Sequence, residues 1–190
     1  MGAKMKKLSV SAFVAVGIGA ALFFVLGRFA SIPVFANTTV NIQYAVLALL
    51  AVLYGPVAGG LVGLIGHILI DFSWGYGLWW SWILSSAIAG CVIGLVSLKF
   101  AKLKVEEGVF GKAELAWFNI ANVIGNGIAW FLVAPVLDIL IYQEPSDKVF
   151  TQGLIAGAAN IVTTAVIGSL LLLAYSKTRT KKGSLKKEDE

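Results

Sequence analysis

The sequence predicts an all-α integral membrane protein of six transmembrane helices with both termini on the cytoplasmic side. Three observations carry that prediction. The 190 residues are 58% hydrophobic and only 13% charged, with a mean hydropathy of +0.87, which leaves too few polar residues to coat a soluble globule. The apolar residues gather in runs close to the roughly 20 that one spanning helix requires. Thirteen of the fifteen Lys and Arg residues stand in three clusters, which an even number of spans places together on the cytoplasmic face.

The spans fall near 8–29, 40–54, 56–73, 78–99, 114–139 and 151–175. The first is read as a helix and not as a signal peptide, because its run of about twenty residues exceeds the 7–15 of an h-region. The second and third are separated only by Tyr54-Gly55-Pro56, and the residue before a proline avoids the helical region, so two helices are expected there. Lys4, Lys6 and Lys7 precede span one, Lys99, Lys102, Lys104 and Lys112 divide spans four and five, and six more cations follow span six. The net charge of +5 is therefore a topology signal, and no nucleic-acid partner is expected. The whole of 1–190 reads as one membrane domain, with 176–190 a charged, disordered cytoplasmic tail.

Under this topology three connections face outward, about 30–41, 73–78 and 140–150. The first, from Ala30 to Asn41, is too polar for hydrocarbon and too apolar for a plain linker; it suits either a lid or a structured connector. Cys91 stands alone, so neither a disulfide framework nor a zinc site is expected. With no phosphate-binding glycine loop and no internal repeat, neither an ATPase nor an inverted-repeat secondary transporter is expected.

Candidate site residues lie toward the outer ends of the spans. Gly66 to Trp82 holds the only histidine, Asp71 and four of the six tryptophans. Ionisable groups near hydrocarbon cost at least about 2.5–3.5 kcal/mol and need a partner or a task. His67 and Asp71, four residues apart, share a helix face, and serve either solute recognition or a structural pair. Two ligands are too few for a metal, and no metal site or cofactor is expected. Trp74, Tyr76, Trp79, Trp80 and Trp82 match an interfacial aromatic belt, yet adjacent helical residues point about 100° apart, so at least one tryptophan turns inward. Asn119, Asn122 and Asn126, followed by Trp130, form a polar face that must look into the bundle. Asn119 suits contacts between helices, whereas Asn126 and Trp130 sit higher and suit a solute. Asn37, Asn41, Gln43, Tyr44 and Asn160 reach similar depth. Asp138 and Arg28 are the other deep ionisable groups.

On span one, Ser11, Ala15 and Gly19 make a stripe of small residues at intervals of four, suited to a partner protein or to packing within the bundle. A ridge from Gly55 through Gly59 and Gly63 on span three suits internal packing. A membrane scaffold without a solute is the alternative from another class. An intramembrane enzyme is disfavoured, because no nucleophile accompanies His67 and Asp71 in the reading.

The runs Val14–Ala21, Asn41–Ala45, Tyr54–Pro56, Gly63–His67 and Gly75–Trp80 resemble the substrate-binding S components of energy-coupling factor (ECF) vitamin transporters. The resemblance covers most of the first hundred residues and is looser afterward. It implies a multi-pass protein of a bacterial plasma membrane that is not itself an enzyme. It implies a vitamin ligand at the extracellular side and docking on a transmembrane coupling subunit driven by two ATP-binding subunits. It gives Ser11, Ala15 and Gly19 the contact with the coupling subunit, although the pattern departs from a pure alanine motif. Within the family the chain resembles the cobalamin-specific branch, and related sequences are linked to hydroxymethylpyrimidine or thiamine. An amide-rich, tryptophan-lined mouth with few charges suits the amide-decorated corrin of cobalamin and also a pyrimidine.

Overall fold

The computed structural model describes residues 9–35, 38–75 and 77–179. Among them are six α-helices, one single-turn 3₁₀ helix (Val105–Glu107) and one short hairpin. Helix α1 (Val10–Phe29) starts where the Ser9 hydroxyl accepts the Ala12 amide, an N-cap that satisfies one of the free donors of the first turn. Its 20 residues span about 30 Å, the thickness of the hydrocarbon core. Strands β1 (Ile32–Phe35) and β2 (Thr38–Val40) pair antiparallel, Ile32 opposite Val40 and Pro33 opposite Thr39. The connection read as a lid or connector is thus a hairpin, favoured by its β-branched Ile32, Val34, Thr38, Thr39 and Val40.

Helix α2 (Gln43–Tyr54) has only 12 residues, about 18 Å, well short of a spanning length. It is instead the centre of the bundle, with Ala45, Leu47, Ala48 and Ala51 fully buried. Gly55 adopts φ +95°, open to glycine but strained for other residues, and Pro56 starts α3 (Pro56–Trp74) at the position where a missing amide costs nothing. Helix α3 ends at Gly75 in the left-handed conformation.

Helices α4 (Trp80–Phe100), α5 (Lys112–Tyr142) and α6 (Ser146–Lys177) complete the bundle. Five helices, all but α2, are long and apolar enough to cross a membrane. Helix α6 begins five residues before the sequence-based boundary of 151, because Pro145 stops the preceding chain and Asp147 suits a first turn. It runs to Lys177, so the tail expected from 176 starts slightly later, and its residues 180–190 lie outside those described. Both long helices widen into π turns, Gly127–Val133 in α5 and Thr164–Gly168 in α6.

The tightest packing is between α3 and α4, where Gly59, Gly60 and Gly63 meet Ser86, Ala87, Gly90 and Cys91 almost backbone to backbone. Small residues allow this approach, which is how membrane helices gain contact without a hydrophobic driving force. Asn119 and Asn122 tie α5 to α6 through the Ser169 hydroxyl at 3.3 Å and the Ile161 carbonyl at 2.9 Å. The α1 stripe divides: Ser11 is exposed, while Ala15 and Gly19 are buried. A side chain at Gly19 would strike Leu50 of α2 and Val62 of α3, so these two pack inside the bundle and offer no free surface. Phe13, Val14, Gly17, Ile18 and Ala21 form the outward face of α1.

Candidate functional site

A cavity of about 510 Å³ opens at the hairpin end of the bundle, bounded by the end of α1, the starts of α2, α4 and α6, the ends of α3 and α5, and both strands. Its floor is aromatic. Trp130 meets Tyr44 edge to face at 5.5 Å and Trp82 at 5.1 Å, and Tyr44 meets Phe23 at 5.2 Å. Trp130 lies within the π turn of α5, a wide turn of the kind that recurs at functional sites. It is 1% exposed, and its indole N–H has no hydrogen-bond partner among the described residues.

One wall is polar. His67 Nδ1 lies 2.6 Å from Ser86 Oγ, which lies 2.8 Å from the Tyr44 hydroxyl. His67 Nε2 stands 3.6 Å from Asp71 Oδ1, while Asp71 Oδ2 accepts the Trp79 amide at 2.8 Å. The opposite wall comes from α6, with Val149, Gln152, Ala156 and Asn160. Beside it Lys148 donates to Glu144 at 2.5 Å. Pro33, Phe35, Thr38 and Thr39 of the hairpin and Asn41 just after it line the cavity, and the Arg28 guanidinium sits 3.9 Å above the Trp74 ring.

The mouth is organised by Asp138, which is 2% exposed. It accepts the indole N–H of Trp79 at 2.6 Å and of Trp82 at 2.9 Å, as well as the Ser81 hydroxyl. Three donors on one carboxylate disperse its charge without a cation. Trp79 also stacks on Tyr142 at 4.0 Å, and the Tyr142 hydroxyl accepts the Trp80 amide at 2.7 Å.

Of the residues expected at a site, Asn41, Gln43, Tyr44, His67, Asp71, Trp74, Trp79, Trp130 and Asn160 line the cavity. Trp80 and Asn126 do not. Trp80 is 44% exposed, since the helical step that turns Trp79 and Trp82 inward carries Trp80 outward. Asn126 is fully buried and spends its amide on Asn122, donating to its Oδ1 at 2.8 Å. Asn37 and Tyr76 lie outside the described residues. Trp82, Asp138 and Gln152, together with Thr38 and Thr39, line the cavity without having been singled out as binding residues. For Asp138 a signal existed: a lone carboxylate in an apolar run requires donors, and the clustered indoles could supply them.

Fold and site together define a helical, multi-pass membrane protein with a half-open, aromatic-floored cavity at one end. Residues 7–177 match the family model described as the S component of an ECF-type riboflavin transporter; the chain belongs to the ECF S-component family, multi-pass transport proteins of the bacterial plasma membrane that are not catalytic subunits. Among its relatives, a UPF0397 protein of Clostridium perfringens is 50% identical over 186 residues, covering 97% of this chain and 99% of that one. A UPF0397 protein of Staphylococcus aureus is 47% identical, covering 97% and 100%. Two solved structures share the fold at 19% identity. ThiT from Listeria monocytogenes has a TM-score of 0.62, covering 89% of this chain and 94% of that one. The S component of a bacterial ECF transporter has a TM-score of 0.51, covering 88% and 92%.

Proposed function

We propose that this chain is the vitamin-capture subunit of an ATP-driven importer, binding a flat heteroaromatic vitamin in the cavity at the extracellular side. The observation that carries the reading is polar and local. Three buried atoms on residues of the cavity wall, Asn41 Oδ1, Gln43 Oε1 and Trp130 Nε1, have no partner among the described residues. Buried polar atoms left unpaired cost about 1–3 kcal/mol each, and a polar ligand on an aromatic floor supplies what they lack. The cation clusters support six spans with both termini in the cytoplasm, which puts the hairpin end outside. In this arrangement α2 crosses as a short central helix sheltered by its neighbours.

Size bears on the ligand. A cavity of about 510 Å³ suits a drug-sized molecule, such as a flavin, thiamine or hydroxymethylpyrimidine. Cobalamin, favoured on the match between its amides and the polar mouth, would extend far beyond the cavity and need the hairpin displaced. Titration of the purified protein in detergent by calorimetry, with riboflavin, thiamine, hydroxymethylpyrimidine and cobalamin, is expected to show saturable binding of one of the smaller three. Binding of cobalamin alone would reverse the size reading, and binding of none would sink the vitamin assignment.

Delivery on this reading requires docking on a transmembrane coupling subunit that carries two ATP-binding subunits. The outward face of α1 is the surface offered, with Gly17 and Ala21 as its small residues. Outside the helix's own backbone nothing lies within 4 Å of a Cβ placed at Gly17, so Gly17→Leu is expected to leave the fold and vitamin binding unchanged while blocking close approach of a partner helix. Vitamin uptake by cells expressing the whole complex is expected to fall at least tenfold. Unchanged uptake would exclude this face as the docking surface.

A further inference from the structure

The polar wall has a direction. Ser86 is fully buried, and its single hydroxyl proton serves two neighbours, His67 Nδ1 at 2.6 Å and the Tyr44 hydroxyl at 2.8 Å. A hydroxyl donates once, so the chain runs one way or the other. The neighbour across the imidazole selects the direction. At the other side of the ring the Asp71 carboxylate stands 3.6 Å from Nε2, and an acceptor-only group there calls for a proton on Nε2, so Ser86 donates to Nδ1 and accepts from the Tyr44 hydroxyl.

We infer that Tyr44 and Ser86 hold His67 in the Nε2–H tautomer, so that its N–H and the adjacent Asp71 Oδ1 form a donor–acceptor pair that reads one edge of the vitamin. Nδ1 is tied to a fully buried serine, so the small exposed part of the imidazole that lines the cavity lies on the Nε2 side. Asp71 Oδ2 is taken by the Trp79 amide, leaving Oδ1, among the described residues, with only the imidazole at 3.6 Å. That separation is too long for a good hydrogen bond, and a ligand edge can engage both groups. The complementary edge carries an acceptor beside a donor: a ring nitrogen next to an amino group in an aminopyrimidine, or a carbonyl next to the imide N–H in a flavin. His67 and Asp71 are then specificity-determining residues, and Ser86 and Tyr44 are positioning residues. The Asp–His–Ser sequence of contacts resembles a catalytic triad only in its residue types, because Ser86 is buried beneath His67 and away from the cavity wall.

The edge-reading part rests on the proposed vitamin function, and the tautomer does not, so the test has two arms. His67 is the only histidine, so ¹⁵N-histidine labelling of the full chain in detergent reports one imidazole. In the ligand-free protein at neutral pH a protonated Nε2 and a bare Nδ1 are expected, and Ser86→Ala is expected to lose that tautomer preference. A proton on Nδ1, or a doubly protonated ring, in the unsubstituted protein would overturn the inference. In the second arm, riboflavin is compared with N3-methylriboflavin, and hydroxymethylpyrimidine with its 4-desamino analogue. Whichever parent binds is expected to exceed its analogue at least about tenfold, the size of one charge-assisted hydrogen bond, and Asp71→Asn is expected to remove most of that preference. Equal affinity within the pair that binds would overturn the edge reading. Binding of no probe would overturn the vitamin assignment instead, and the tautomer is then decided by the first arm alone.

Discussion

Asp138→Ala is expected to lower stability by about 3–5 kcal/mol, because it strands two indole N–H groups and a hydroxyl whose bonds to a charged acceptor are worth about 1.5–3 kcal/mol each before partial compensation by water. The same change loosens the mouth. Trp79, Ser81 and Trp82 all belong to the first turn of α4 or its approach, and Asp138 near the end of α5 is what fastens them across the bundle. Trp79 would retain its stacking on Tyr142, but Trp82 would lose the bond that sets its ring against Trp130. Vitamin affinity is therefore expected to fall by two orders of magnitude or more. Asp138→Asn keeps the shape but offers one acceptor oxygen in place of two, and should lie between. Thermal unfolding in detergent checks the first expectation and ligand titration the second. An Asp138→Ala protein with unaltered melting and affinity would show that the carboxylate does not organise the mouth.

Gly90→Val is expected to prevent folding of a monodisperse protein. A side chain at Gly90 would enter the Gly59 carbonyl and the Gly60 amide of α3, and backbone cannot rotate aside as a side chain can. Ordinary overpacking costs about 1–3 kcal/mol, and this contact exceeds it because two helices must separate along a seam that also includes Gly63 against Ser86. Separating α3 from α4 also parts His67 from Ser86, so any protein that does fold should have lost its binding site. Size-exclusion profile and helical circular dichroism in detergent are the readouts. Gly17→Leu is the control, since it adds a larger side chain at a position where a Cβ meets nothing within 4 Å. A well-folded Gly90→Val protein would mean that the seam is more yielding than its geometry implies.

The helices were readable because bilayer thickness imposes a length on them and because Gly-Pro and Pro breaks mark their ends. The boundaries of α1 and α3 were within one or two residues of expectation, whereas α6 began earlier than its apolar run, its first turn being polar and capped by Pro145. The hairpin was not foreseen as strands, for its seven strand residues carry no alternation long enough to stand out from a connector. At the site, periodicity correctly required an inward tryptophan but could not choose among Trp79, Trp80 and Trp82. The choice depends on the rotation of α4 about its axis, which Asp138 of a distant helix sets. The same limit affected Asn126 and the α1 stripe. Spacing puts Ala15 and Gly19 on one face and leaves open whether that face meets another chain or the bundle itself.

By itself the sequence determined that this protein lives in a membrane, where its helices run and which segment carries the polar and aromatic residues, since each follows from local hydropathy, charge and chain-breaking chemistry. Only the tertiary structure decided which of those residues share a cavity, that α2 is a short buried core helix, and that Ser86 stands between His67 and Tyr44. Those features depend on helix rotation and on contacts between residues 19 to 59 positions apart, for which sequence spacing carries no geometric constraint.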